Sequence, residues 1–262
     1  MSRSLALLPA ACAAALFALL PACRPEDLPG AETFAGPRVA VGAGEAWTEV
    51  TLAADGAPLA VAAAFTRDAL RDLPPPPSDH GGHVPANEFV LALPEEAPVA
   101  SYDHVTLDWN AAGHAPPGVY DVPHFDVHFY FIDAAERDLI GPFDSVAFNR
   151  PLPADLLPPH YIETPGGVPR MGAHVVDGLS PEIAGTGPFT HTLIYGKYDG
   201  ALNFLEPMVA MSMLEEERDA SARVRRPTRY GLEGYFPGVY SVRYDEADDT
   251  YRVVLFDLER RT

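Results

Sequence analysis

The chain has 262 residues, 47% of them apolar, which is enough for one large β-domain or two small ones. It carries 18 basic and 37 acidic residues, a formal net charge of −19. A chain this acidic repels phosphate backbones, so no nucleic-acid partner is expected.

The N-terminus predicts an export signal. Arg3 supplies a positive start, residues 5–20 are apolar, and Cys23 follows Leu-Pro-Ala as in a bacterial lipobox. Residues 1–22 are therefore predicted to be a signal peptide of the lipoprotein type. The protein would be exported and held at a membrane by acyl chains on Cys23, facing the periplasm or the cell exterior. The alternative is cleavage by an ordinary signal peptidase, which gives a soluble periplasmic protein.

The remaining chain is divided by composition. Cleavage removes Cys12 and leaves Cys23 as the single cysteine, which excludes an internal disulfide framework and a cysteine metal site. Residues 23–36 are rich in Pro and Gly and nearly aperiodic, which predicts a flexible tether. Residues 37–262 are assigned to a single β-rich domain.

Short apolar runs separated by turn residues predict a mainly β fold, an antiparallel β-sandwich or barrel with minor short helices. A capping box at Asp133 and Glu136 predicts one of these helices, up to residue 140. Asp199-Gly200 predicts a tight turn between two long strands. Strands are predicted over residues 38–41, 46–52, 58–62, 88–93, 102–109, 119–132, 189–198, 201–211, 239–244 and 251–258.

The strand predicted over residues 119–132 has an unusual polar face. Successive strand side chains point to opposite sides, so the aromatic and aliphatic residues separate from a His, Asp and His row. Such a row is costly in a dry interior unless each group finds a partner. That face is therefore either solvated or lines a site. One face carries Phe125, Val127, Phe129 and Phe131, and the other carries His124, Asp126 and His128.

Two further residues strengthen the prediction of a site. Glu206 is the only charged residue in the apolar run 203–214, and His174 lies in the Pro/Gly-rich stretch 141–187. A two-residue turn at Asp199-Gly200 would pair Leu193 with Glu206 and place His191 on the same face as Glu206. The candidate ligands are His124, Asp126, His128, His174 and Glu206, with His104, His114 and His191 as looser candidates.

Imidazole and carboxylate together suit a divalent metal ion such as zinc, iron, manganese or copper. Residues four apart on a strand are separated by roughly 13 Å, so His124 and His128 would need a bend to reach one ion. We therefore expect two neighbours of the row to bind the ion, while the third supports them.

Three motifs resemble an uncharacterised family of exported bacterial proteins: WNAAGHAPPGVYDVPHFDVHFYF, MGAHVVD and YGKYDGALNFLEPM. The resemblance covers roughly residues 38–214 and implies a secreted β-rich domain, but it carries no established activity. The HxDxH row is also similar to the HxH strands of cupins and β-type carbonic hydratases, from which it departs by two residues.

Two hypotheses of function stay open. The protein is either a metalloprotein that acts on or binds a small molecule, or a non-enzymatic envelope binding or assembly module without metal. In the second case the histidine face would be solvated or part of a homo-oligomer contact. A phosphate-binding glycine loop, a nucleophile elbow and a CxxC motif are all missing from the sequence, which therefore names no reaction.

Overall fold

The computed structural model describes residues 25–76 and 87–262. The predicted signal peptide and Cys23 lie outside these residues. Within the described ranges, no helix combines the length and apolar character needed to cross a membrane.

The described chain contains fourteen strands, four short α-helices and two 3-10 turns, at Pro25–Asp27 and Arg67–Leu70. The strands are β1 (Glu32–Ala35), β2 (Val39–Val41), β3 (Gly44–Leu52), β4 (Pro58–Thr66), β5 (Glu88–Ala92), β6 (His104–Asn110), β7 (His124–Tyr130), β8 (Tyr161–Glu163), β9 (Ala173–Asp177), β10 (His191–Tyr198), β11 (Ala201–Ala210), β12 (Ala220–Arg223), β13 (Gly234–Asp245) and β14 (Thr250–Arg261). The helices are α1 (Ala134–Asp138), α2 (Ser145–Phe148), α3 (Pro181–Ala184) and α4 (Met211–Glu215).

These strands form two antiparallel sheets, which confirms the predicted fold class in its sandwich form. The first sheet has the order β1-β3-β4-β14-β13-β12, and β2 also pairs with β3. The second has the order β5-β6-β7-β11-β10-β9-β8. In the second sheet β7 is third from one edge, so both of its neighbours present side chains beside its own.

The main core lies between the sheets. The Phe65 ring of the first sheet is 5.7 Å from the Phe125 ring of the second, and Trp109 is 4.9 Å from Phe125. Phe125, Val127 and Phe129 are fully buried in this core, as the alternation predicted. Each such side chain contributes roughly 1.5–3 kcal/mol relative to an exposed one.

The central strand is shorter than predicted. It begins at His124 and not at residue 119, because Pro123 has no N–H to donate to a strand ladder. The preceding residues instead form a closed loop, in which the N–H of His114 donates to the carbonyl of Tyr120 at 3.0 Å. Tyr120 packs beside Ile194 and Met208, so this loop lies over the outer face of the second sheet.

The described part of the segment predicted to be a tether contacts the first sheet. Glu32–Ala35 pairs with β3, and Glu26 is 2.5 Å from Arg243 of the first sheet. Phe34 packs against the main core, which fixes a segment whose composition alone suggested flexibility. Asp133 begins a helix as predicted, since its carboxylate accepts from the N–H of Glu136 at 2.8 Å, and this helix ends at Asp138 and not at residue 140.

Candidate metal centre

The polar face of β7 is buried. His124 and His128 have no exposed surface and Asp126 is 4% exposed. The loop before β7 covers this face, with the His114 ring 4.7 Å from the His124 ring, and Phe189 lies 5.4 Å from His124. The row therefore cannot be stabilised by solvent, and each group depends on partners within the protein.

The structure divides the row between two ligand groups. His128, His174 and Glu206 form the first group, and His114, His124 and Asp126 form the second. In each group, one possible ligand atom per residue lies within 4.8 Å of the others. All five predicted ligands thus belong to a group that could hold a metal, but they do not form one site. The length of the strand, which argued against one ion for His124 and His128, explains the division.

The first group has the spacing of ligands around an ion. Oε2 of Glu206 is 3.5 Å from Nε2 of His128 and 3.6 Å from Nε2 of His174. Both distances are too long for a good hydrogen bond. A tetrahedral ion with bonds of about 2.1 Å separates its ligand atoms by roughly 3.4 Å. Within the described residues, neither Nε2 of His128 nor Oε2 of Glu206 has a hydrogen-bond partner.

The orientation of His128 is fixed from the neighbouring strand. Its Nδ1 lies 2.8 Å from Oδ2 of Asp108, and the hydroxyl of Thr106 donates to the same carboxylate at 3.0 Å. Register explains this contact, since Thr106 pairs with His128 and Asp108 with Asp126. A carboxylate only accepts, so Nδ1 carries the proton and Nε2 is directed at Glu206. Histidines that bind metals usually have such an oxygen partner on the second nitrogen.

Burial and neighbouring charges shift the titration of this group. Burial raises the pKa of Glu206 to about 8 despite the opposing effect of His128. Burial would lower the pKa of His128, but the carboxyl groups of Glu206 and Asp108 raise it to about 9. Without a metal, this pair therefore retains at least one proton at neutral pH.

The second group centres on Asp126. The side chain of Asn110 donates to Oδ2 of Asp126 at 2.7 Å, and Nε2 of His114 lies 3.2 Å from the same oxygen. Nε2 of His124 lies 3.1 Å from Oδ1. Although burial opposes it, the His124 and His114 rings hold the pKa of Asp126 well below its usual range. His114 was only a looser candidate, and Asp108 and Asn110 were not predicted.

The predicted hairpin register is wrong beyond the first pairs. Tyr198 pairs with Ala201 as expected, but a bulge at Gly196 and Lys197 shifts the remainder by one residue. Glu206 consequently pairs with Ile194 and not with Leu193. The bulge is possible because Gly196 has no side chain, where a Cβ would lie 2.2 Å from the Phe204 ring.

The shift removes His191 from the candidate ligands. Its pairing partner is Val209, and its Nδ1 lies 2.9 Å from the hydroxyl of Tyr240 on the first sheet. His104 also lies outside both groups. Its Nδ1 is 2.8 Å from Asp103, and its ring stacks on Tyr130 at 4.8 Å.

A cavity of about 390 Å³ opens beside the two groups. His174 of the first group lines it, as do His114 and Asp126 of the second. The opposite wall comes from the segment before β9, including Pro165, Gly166, Gly167, Val168 and Met171. This mixture of a few polar groups with an apolar wall is typical of a pocket for a small molecule.

Comparison with known proteins gives one partial match. A family model described as TTHB210-like, Hypothetical protein TTHB210, matches residues 54–109. This stretch contains β4, β5 and most of β6 with Asp108, and it ends before β7. Over it the chain is similar to uncharacterised proteins. No match was found among curated proteins, and none among solved structures.

Proposed function

We propose that this protein is an exported metal-binding protein that holds a divalent transition-metal ion between His128, His174 and Glu206. The proposal is supported chiefly by the Nε2 of His128 and the Oε2 of Glu206, which face each other in the interior without a hydrogen bond. A buried polar atom without a partner is costly, and a metal would satisfy both. Two imidazoles and one carboxylate match zinc sites that keep a fourth position open.

The cavity supports a small molecule as the ligand of this site. His174 lines the cavity and is 22% exposed in its side chain, whereas His128 and Glu206 are buried behind it. A bound divalent ion would polarise a water or carbonyl oxygen placed at its open position. The protein's own contribution is to orient His128 through Asp108 and to exclude water with Phe204, whose ring lies 4.8 Å from His128.

Replacement of His174 tests this proposal. We expect His174→Gln to weaken Zn²⁺ binding by more than about 100-fold, because even the outer partners of metal ligands account for 10–100-fold. The measurement is elemental analysis of protein purified without a histidine tag, followed by calorimetric titration with Zn²⁺. His160→Asn is the matched control, since His160 is exposed and lies in neither group.

Wild-type protein that stays free of metal at millimolar Zn²⁺ would contradict the proposal. So would equal affinities of the His174→Gln and His160→Asn variants at the first group. The binding or assembly module without metal would then be the better description of the protein.

We also propose that Cys23 carries the lipid that attaches the protein to a membrane, which rests on the charged start, the apolar run and the Leu-Pro-Ala-Cys junction. We expect Cys23→Ser to move the protein from the membrane fraction to the soluble fraction, or to leave the precursor unprocessed. Fractionation of cells with an immunoblot measures both. A Cys23→Ser protein that is processed and membrane-bound like the wild type would refute lipid attachment at this residue.

A further inference from the structure

We propose a second divalent-cation site, formed by His114, His124 and Asp126. Their possible ligand atoms lie within 4.8 Å of one another, and the three side chains provide two nitrogens and one oxygen. This set suits the same transition metals as the first group. The second site does not depend on an ion at the first, because the two groups share no residue.

The geometry at His124 carries the argument. Its Nδ1 lies 2.6 Å from the carbonyl oxygen of Val122, and a carbonyl only accepts, so Nδ1 holds a proton. Nε2, on the other side of the ring, lies 3.1 Å from Oδ1 of Asp126. Both atoms are buried, and neither forms a hydrogen bond with any described residue. A cation between them would give both buried atoms the partner that they lack.

His114 is prepared in the same manner. Its Nδ1 lies 2.8 Å from the carbonyl oxygen of Ala115, so Nε2 is again the atom available to a ligand. Nε2 lies 3.2 Å from Oδ2 of Asp126. A metal ion bound at Nε2 would leave the Nδ1 contact of the ring unchanged.

The surroundings of Asp126 resemble those of a metal-binding carboxylate. Asn110 donates to Oδ2, which fixes the carboxylate plane with Oδ1 directed at His124. Such outer partners are usual around metal ligands. His114 is the most exposed member, at 31% of its side chain, and it lines the cavity, so an ion has a path to the group.

The two groups are consecutive along β7. Asp126 and His128 point to the same side and are roughly 6.6 Å apart along the strand. Two-metal catalytic centres hold their ions about 3.5–4 Å apart. We therefore expect two ions that bind at separate sites beside the same cavity.

Counting bound Co²⁺ in the full-length protein and its variants tests the second site. We expect two equivalents in the wild type, one in His114→Gln, one in Glu206→Gln and none in the double variant. Absorption bands in the visible range identify which site each ion occupies, because each variant removes its own bands. His114 lies on a partly exposed loop. Thermal unfolding of each variant verifies that it folds.

Each result separates the second site from the proposed function. One equivalent that is lost in Glu206→Gln but retained in His114→Gln and His124→Gln would overturn the second site and leave the first. One equivalent with the opposite pattern would support the second site and refute the first. A wild type that binds no Co²⁺ would overturn both.

Discussion

Zn²⁺ affinity should rise at least about tenfold for each pH unit between about pH 6 and pH 9, because the ion must displace a proton from His128 and, below about pH 8, a second proton from Glu206. The pKa of His128 is raised to about 9 by Glu206 and Asp108, against the effect of burial. Below that pH the ring is protonated on Nε2 and cannot bind a metal. Between about pH 8 and pH 6 the affinity should therefore fall by at least about 100-fold.

Competition with a chelator at several pH values measures this slope. Titration calorimetry in two buffers of different ionisation enthalpy counts the protons that are released. Asp108→Asn is the informative variant, since it removes one of the carboxylates that raise the pKa of His128. Its affinity should be lower at pH 9 but should depend less on pH. An affinity that is constant from pH 9 to pH 6 would contradict the assignment of His128 as a ligand.

The alternation of β7 could be predicted from the sequence because it depends only on strand geometry. A period of two places Phe125 and Phe129 on one face and Asp126 on the other whatever the surrounding fold. The burial of the polar face could not be predicted in this way. It results from the loop before β7, which folds back so that His114 reaches Asp126.

The sequence contained a signal for Asp108 but did not assign this residue to the site. Thr106 and Asp108 are two residues apart in the strand predicted over residues 102–109, which places both polar side chains on one face. Only the register of β6 with β7 places Thr106 opposite His128. A polar strand face next to a polar row was the available signal, but sequence does not state which strands pair.

The β10–β11 hairpin shows the limit of register prediction. The turn at Asp199-Gly200 fixed the first pair, Tyr198 with Ala201. One extra residue in β11 then shifted the later pairs by one, so that Glu206 and His191 no longer share a face. Gly196 was the local sign of such a bulge, since an isolated glycine within a strand often marks one. Glu206 lies beside His128 of β7, whereas His191 contacts Tyr240 of the first sheet.

In the protein without metal, Glu206→Gln should increase the stability of the fold, whereas the same substitution should weaken metal binding. Glu206 is 1% exposed, and burial raises its pKa from 4.5 to about 8. The folded state therefore binds this proton more tightly than the unfolded state does. Its contribution to folding falls as pH rises from about 4.5 to about 8. Glutamine has the shape of the neutral acid and no charge to desolvate.

We therefore expect metal-free Glu206→Gln to be more stable than the wild type by about 1–3 kcal/mol at pH 8, and nearly equal to it at pH 4.5. Chemical denaturation at both pH values, after dialysis against a chelator, measures the difference. In Zn²⁺ at 100 times its dissociation constant, the wild type should gain about 2.7 kcal/mol and the variant much less. Glu182→Gln is the matched control, since Glu182 is also buried and lies in neither group.

The direction of the stability change in Glu206→Gln distinguishes a metal site from an internal ion pair. If Glu206 existed mainly to pair with His128, removing its charge would leave a buried cation with one partner fewer and would cost about 3–5 kcal/mol. If Glu206 exists to hold a metal, its removal relieves the protein of a desolvated carboxyl group and abolishes the gain from Zn²⁺. Functional groups commonly have this stability cost. A destabilised Glu206→Gln variant with an undiminished Zn²⁺ response would show that Glu206 is structural.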